Sequence, residues 1–536
     1  MARTLNIDGQ QTAIRESWLD RAISAIAPIY GARRYKARLF HAAAGAYVGA
    51  SRTRRSMMQW NPNLGDADAD TLYDLPTLRT RSRDLLRNAP LASGAINTVV
   101  TNVVGTGLMV RPEVDRTALG MSEEEADAWE QQTEREWKVF ANTIEIDAAR
   151  TLDFIGLQEL AFRSVLESGD VLAVLPSITR QNSPYRTKVQ LVEGDRLSNP
   201  NDRMDDDTFA GGVEKDAYGA PIRYHISSIH PGSSLSRARR KWTPVDAYGK
   251  NGRRNVLHLF KPLRPGQSRG IPYLAPVMEP LKQIDRYTEA EIMAAVVAGM
   301  YTVFIKSEAG DGSLAPMTPT SETGGSTADE DYKLASGAIV GLAPGEDITT
   351  ANPGRPNTAF DPFVQAVLRQ IGVGLELPFE ILIKHFTASY SAARAAILEA
   401  WKFFLSRRRW LVTVFCQPVY ELFLFEAVVM GRITAPGFLS DPALRMAYSG
   451  AYWIGPSKGM IQEEQEVNAA GKRIELEIST REYECAQLLG LEWDRVHAQS
   501  VKEKKMRDQA GLVDPNAPAP GRPQTPSLAD LQDQPE

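Results

Sequence analysis

The run Ser389-Tyr390-Ser391-Ala392-Ala393-Arg394 divides two kinds of sequence. From Glu399 onward the polar side chains are Glu399, Lys402, Ser406, Arg409, Thr413, Gln417 and Glu421, at steps of three or four residues. Nearly everything between them is apolar or aromatic, and that spacing predicts a helix. The polar stripe is narrow and is flanked by Trp401, Phe403, Phe404, Trp410, Phe415, Tyr420, Phe423 and Phe425, so the helix needs cover on most sides. Ser391 is the predicted N-cap and Pro418 the predicted kink.

Upstream, Glu376 to Tyr390 reads as a short irregular link. Before it, Asp361-Pro362 supplies an expected N-cap and first-turn proline, followed by Val364, Val367, Leu368, Ile371 and Leu375 at helical spacing. Two helices are thus joined by a loop. Further upstream, Pro276 to Ala298 predicts another helix, on the order of 35 Å long at 1.5 Å rise per residue. Between these helices lie a strand at Tyr301 to Ile305, a Gly-, Ser-, Thr- and acid-rich stretch from Ser307 to Asp331, a strand at Ala338 to Leu342 and a loop at Pro344 to Pro356. One helix leads out, a small β-containing element follows, and a second helix leads back.

Four helices are predicted nearer the start, at Leu78 to Asn88, Pro90 to Val104, Ser122 to Phe140 and Asp153 to Ser168, with Asn88, Ser122 and Asp153 as starts. Leu157, Leu160, Ala161 and Val165 set the apolar face of the fourth, and Gly169 closes it. Short β-branched runs predict strands at Val171 to Leu175, Lys188 to Val192, Ile222 to Ile226 and Val256 to Phe260. Residues 1 to 60 hold ten Lys/Arg against three Asp/Glu and one amphipathic helix near Trp18 to Ile29. This arm either meets nucleic acid or an acidic partner, or is a poorly packed terminus. Lys458 to Gln509 is helical and charged. After Ala510 the Pro-rich tail has too little apolar surface to fold.

At 536 residues, 43% hydrophobic and 24% charged, the chain has globular composition and exceeds one ordinary domain. A net charge of −5 argues against a protein whose main task is gripping DNA, because that affinity comes from lysine and arginine. The basic clusters Arg237 to Lys241 and Arg407 to Arg409 read first as solvated surface. Cys416 and Cys485 suggest neither a metal site nor a disulfide, consistent with a reducing compartment. No secretory signal is expected at the N-terminus. Ile292 to Ile305 and Trp410 to Gly431 read as buried helix rather than membrane spans.

Catalytic motifs are weak. Gly266-Gln-Ser-Arg-Gly270 matches the pattern of a nucleophile elbow at Ser268, but Lys261 to Pro265 and Pro272 break the required strand–turn–helix context. No Walker phosphate loop or HExxH occurs. His225 and His230 could meet at a metal only by tertiary accident, and Asp205-Asp206-Asp207 beside Asn199-Pro-Asn-Asp202 reads as a solvated turn. The reading therefore assigns no catalytic residue, cofactor or metal.

The blocks Arg81 to Ile96, Thr101 to Leu108, Arg269-Gly-Ile-Pro-Tyr-Leu-Ala-Pro276, Ile371-Gly-Val-Gly-Leu-Glu-Leu-Pro-Phe-Glu380, Ser389 to Trp401, Gln417-Pro-Val-Tyr-Glu421, and Trp453 followed by Met460-Ile-Gln-Glu-Glu464 occur in one order. Together, over about Thr77 to Gln509, they resemble the portal proteins of lambda-like tailed bacteriophages. The resemblance implies an α+β portal fold of wing, stem, clip and crown, with long stem helices and a small β-containing clip, closing into a ring, typically of twelve subunits.

Mapped onto this chain, it implies a basic arm at 1–76, wing at 77–272, outgoing stem helix at 273–300 and clip at 301–360. The returning stem helix is then 361–377, the tunnel loop 378–390, the long buried helix and further wing 391–457, the crown 458–510 and a disordered tail 511–536. The implied DNA-facing residues are Lys384, His385, Phe386 and Thr387, of which Lys384 and His385 would offer weak, sequence-independent phosphate contacts. Gln365 and Arg369 would line the stem channel. Glu308, Asp311, Asp329, Glu330 and Asp331 would face the terminase.

The implied role is a structural channel for double-stranded DNA at one capsid vertex, in a virion assembled in the host cytoplasm. Its partners would be the terminase large subunit, major capsid and scaffold proteins and head-tail connector proteins, with no membrane. The alternative is a hydrolase or nuclease using Ser268 or the Asp205–Asp207 cluster.

Overall fold

The computed structural model describes residues 3–7, 10–14, 18–30, 33–34, 48–50, 55–57, 59–62, 64–234, 239–250, 252–299, 303–307, 346–350, 359–386, 389–460, 462–510 and 512. The chain divides into two compact bodies, Met1–Asp66 and Ala67–Glu536. In the first, strands Arg3–Ile7 and Gln10–Ile14 form an antiparallel hairpin ahead of helix Trp18–Ile26. The hairpin was not expected, because Asn6, Gln10, Gln11 and Thr12 dilute its apolar alternation. The helix stops at Ile26, before Pro28.

In the second body the four expected helices form at Leu75–Asn88, Pro90–Val103, Glu123–Ala141 and Phe154–Ser168. Ser122 and Glu125 make a reciprocal capping box, and Asp153 accepts from the Gly156 N–H at 2.9 Å. Asn88 does not start the second helix: its amide donates to Asp84, and Pro90 at the helix start has no N–H to cap. Leu160 is exposed rather than part of the apolar face. The core joins Ile96, Val99 and Val103 to Leu157, Ala161 and Phe162, and to Phe415, Tyr420 and Phe423. Trp137 is its aromatic hub, with ring centroids of Phe154, Tyr420 and Phe423 5.1, 5.6 and 5.2 Å away.

Strands Val256–Phe260, Asp170–Val174 and Gln190–Glu193 make a three-stranded antiparallel sheet against this core. A four-stranded meander, Phe209–Ala210, Val213–Lys215, Pro221–Ser227 and Trp242–Asp246, packs over a second, smaller core around Leu172 and Tyr224.

Between the sheets lies a buried charge cluster. Asp170 is fully buried and accepts from Arg269 Nε at 2.6 Å, Arg79 Nη2 at 2.5 Å and His258 Nε2 at 3.2 Å. Burial opposes the ionisation of Asp170, but Arg269, Arg79 and His258 outweigh it and hold the carboxyl well below its usual value. Beside it two backbones cross: a Cβ on Gly270 would stand 1.9 Å from the Gly169 carbonyl oxygen. Only glycine permits that approach, and it fixes where the chain leaves for the outgoing helix.

That helix spans Met278–Gly299, and the chain returns through Phe360–Gly374. Among the described residues the burial of the pair is at its base, at Leu281, Ile284, Leu368 and Ile371. Ile292, Met293 and Val296 are exposed, which corrects the expectation of buried helix there. Strand Val303–Ser307 pairs with Glu346–Thr350, setting Ile305 opposite Ile348. The partner strand thus falls within the expected 344–356 loop, its pattern masked by Glu346, Asp347 and two threonines, while Ala338 to Leu342 lies outside the described residues.

The long helix is Tyr390–Leu411, a π-helical turn at Val412–Cys416, then Gln417–Val429. This widened turn lies just before Pro418, where it accommodates a proline that offers no N–H to the preceding turn. Ser389, not Ser391, occupies the cap position, without a side-chain hydrogen bond. Cover begins at Ala400; Ser391 to Glu399 is mostly exposed. Likewise Asp361 sits inside the returning helix, which starts at Phe360, where its charge favours the N-terminal dipole. Helices Glu463–Glu475, Arg481–Leu489 and Trp493–Gln509 complete the body. Residues 513–536 lie outside the described residues.

Candidate functional site

The returning helix carries Asp361, Gln365 and Arg369 on one face. Gln365 Nε2 donates to Asp361 at 2.7 Å, and Arg369 Nη2 donates to Gln365 Oε1 at 3.0 Å. The helix ends because Leu377 N–H reaches back to the Gly372 carbonyl at 2.9 Å and Glu376 takes φ 55°. A Cβ on Gly372 would stand 2.6 Å from the Leu377 carbonyl oxygen, so this tight reversal needs glycine.

The expected irregular link after Pro378 contains a helical turn, Phe379–Ile383, held by buried Leu382 and closed by Lys384 in the left-handed region at φ 54°. Arg369 lies over the Phe379 ring at 5.2 Å. A cavity of about 600 Å³ between the two helices is lined by Gln365, Arg369, Glu380 and His385. The structure therefore brings together Gln365, Arg369 and His385, with Lys384 and Phe386 exposed beside them. Thr387 and the five clip residues Glu308, Asp311, Asp329, Glu330 and Asp331 lie outside the described residues.

The base of this loop is clamped. Arg407 pairs with Glu376 at 3.2 Å and lies over the Phe403 ring at 4.9 Å. The Tyr273 hydroxyl donates to the Leu375 carbonyl. These contacts anchor the base of the loop, and Glu380 lines the cavity beside His385.

The alternative catalytic groups are used structurally. Ser268 is buried; its hydroxyl donates to Asp68 at 2.6 Å and accepts from Lys215 Nζ at 2.7 Å. Lys215 is also paired with Asp68 at 3.0 Å, so the three side chains form one hydrogen-bonded group. Asp206 accepts from Thr208 and Arg203, which lower its carboxyl to about 2, and Asp205 accepts from Asn199 and Gly211. Among the described residues no group of three or more His, Cys, Asp or Glu is arranged to hold a metal.

The family described as "Phage portal protein, lambda family" matches residues 53–408, which include the outgoing helix, the returning helix and the clamped loop. The chain belongs to this family. Portal protein B of Escherichia phage lambda is 29% identical over 494 residues, covering 88% of this chain and 91% of the relative. The portal protein of Escherichia phage N15 is 27% identical over 498 residues, covering 89% and 92%. Among solved structures, a chain from "Neck of native GTA particle computed with C12 symmetry" has 13% identity and a TM-score of 0.42, covering 77% of this chain and 93% of that one. Family membership places this portal-family chain among the structural proteins of phage virions.

The sequence did not reveal the buried Arg79–Asp170–Arg269 cluster between the sheets. Its one visible signal was Arg269 opening the block Arg269 to Pro276, since a charge entering an otherwise apolar run calls for a buried partner.

Proposed function

We propose that the chain closes with copies of itself into a ring, twelve in number, at one vertex of a phage head, and that double-stranded DNA passes through its centre. The family match across both stem helices and the loop is the observation that carries this reading. In it the outgoing and returning helices wall the channel, and Lys384, His385, Phe386 and Thr387 face DNA without reading sequence. Gln365 and Arg369 line the stem, and the acidic segment with Glu308, Asp311, Asp329, Glu330 and Asp331 meets the terminase large subunit. Connector proteins replace the motor afterwards, and capsid and scaffold proteins surround the ring during assembly in the host cytoplasm.

The exposed Ile292, Met293 and Val296 support the ring, because apolar side chains along a projecting helix gain from burial against a neighbour. Electron microscopy with light scattering tests the architecture. Rings with a central hole, about 709 kDa for twelve chains of 59.1 kDa, are expected. A stable 59 kDa monomer even with capsid and scaffold proteins present would refute the proposal.

A further inference from the structure

Among the described residues strand Ala451–Ile454 has a partner on one edge alone, strand Met109–Pro112. The Glu113 N–H donates to Gly450 O, so Tyr452 and Ile454, two and four residues on, share the bonded positions of this ladder. Ala451 and Trp453 take the alternate positions. Pro112, which has no N–H, agrees with this by standing opposite Ala451. The backbone N–H and C=O of Ala451 and Trp453 therefore point away, and among the described residues nothing pairs with them.

They point along a cavity of about 430 Å³ lined by Leu405, Arg408, Arg409, Val412, Ala486 and Gln487. Arg408 is partly buried and donates to the carbonyls of Asn102, Val103 and Pro456 at 3.1, 3.2 and 2.9 Å. Among the described residues neither Arg408 nor Arg409 has a carboxylate partner. A partly buried guanidinium held by neutral carbonyls and the Trp401 ring, 5.3 Å away, leaves net positive charge beside an open strand edge. Such a groove fits an acidic segment in extended conformation, whose main chain completes the ladder while its carboxylates meet the arginines.

We infer that the occupant is this chain's own segment Ser527–Gln534, added as a third strand to the Ala451–Ile454 edge. Residues 513–536 carry four acids against one arginine, whereas residues 1–60 are strongly basic and would be repelled. Within that tail, Pro515, Pro518, Pro520, Pro523 and Pro526 remove backbone donors, so Ser527-Leu-Ala-Asp-Leu-Gln-Asp-Gln534 is the proline-free stretch that can supply a full ladder. Helix Trp493–Gln509 ends early enough that the intervening chain can reach about 60 Å. The groove is itself lined by the helix before it, Arg481–Leu489.

Hydrogen exchange of the full chain, read by mass spectrometry over peptides spanning 450–456, tests this independently of ring formation. Asp530→Asn with Asp533→Asn is expected to speed exchange of the Ala451 and Trp453 amides at least tenfold. Arg409→Glu should do the same, and adding Asp530→Lys with Asp533→Lys to Arg409→Glu should restore slow exchange. Exchange unchanged by neutralising the tail would overturn the inference. So would slow exchange seen only at tenfold higher protein concentration, which would assign the edge to a second copy.

Discussion

Asp170 holds a full charge with no exposed surface, and its worth depends on both arginines remaining beside it. Asp170→Asn leaves Arg79 and Arg269 as buried cations without a counter-charge, a change expected to cost about 3–5 kcal/mol, read from the urea midpoint. The pH dependence has a definite sign. The folded-state value of Asp170 lies well below 3.8, so its contribution is complete above that pH and is lost as pH falls toward the lower value. His258 is held below 6.5 by burial, against the pull of Asp170. The unfolded chain therefore binds that proton first, and stability should already decline as pH drops below 6.5. Ser268→Ala, by contrast, should remove hydrogen bonds to Asp68 and Lys215 and lower the melting temperature, while assays for hydrolysis or nuclease turnover stay at background in both proteins.

At the scale of elements, the long helix was legible because its polar stripe is so narrow. The structure exposes Glu399, Lys402, Ser406, Arg409, Thr413 and Glu421, as the spacing requires. Even the π-turn left a trace: from Arg409 the stripe advances by four residues three times, slower than the 3.6 of a regular helix. The caps were less legible, because Ser391 and Asp361 are suitable residues one or two places from where the backbone turns. The turn Phe379–Ile383 was hidden by its brevity. Its position rests on Gly372, so Gly372→Ala should cost about 1–3 kcal/mol in denaturation and displace the loop. Deleting 378–390 should leave rings visible by microscopy and yield heads without DNA. DNA-filled heads from that deletion would refute the channel role given to Lys384 and His385.

For the molecule as a whole, the order of helices, strands and helices was readable, whereas the exposed apolar surfaces were not. Apolar residues on a helix read as core in any sequence, and Ile292, Met293 and Val296 look no different from Leu281 and Ile284 until the fold shows which are covered. Ile292→Asp should leave the melting temperature of the single chain within a degree or two and abolish the 709 kDa species in light scattering. Loss of both together would mean that the residue serves the fold. The buried charge cluster was illegible for a related reason: Arg79, Asp170, His258 and Arg269 are far apart in sequence, and only the crossing at Gly169 and Gly270 brings them together.

The turn at Val412–Cys416 also works as an angular setting. Each residue in a helix adds about 100° of rotation, so removing one residue from this turn would swing Glu399, Lys402, Ser406 and Arg409 by about that angle against the fixed Gln417–Val429 segment. Ala400, Phe403 and Phe404 would be driven outward in exchange. The length of five residues between Leu411 and Gln417 thus sets the direction in which the whole upstream helix, and the loop before it, faces.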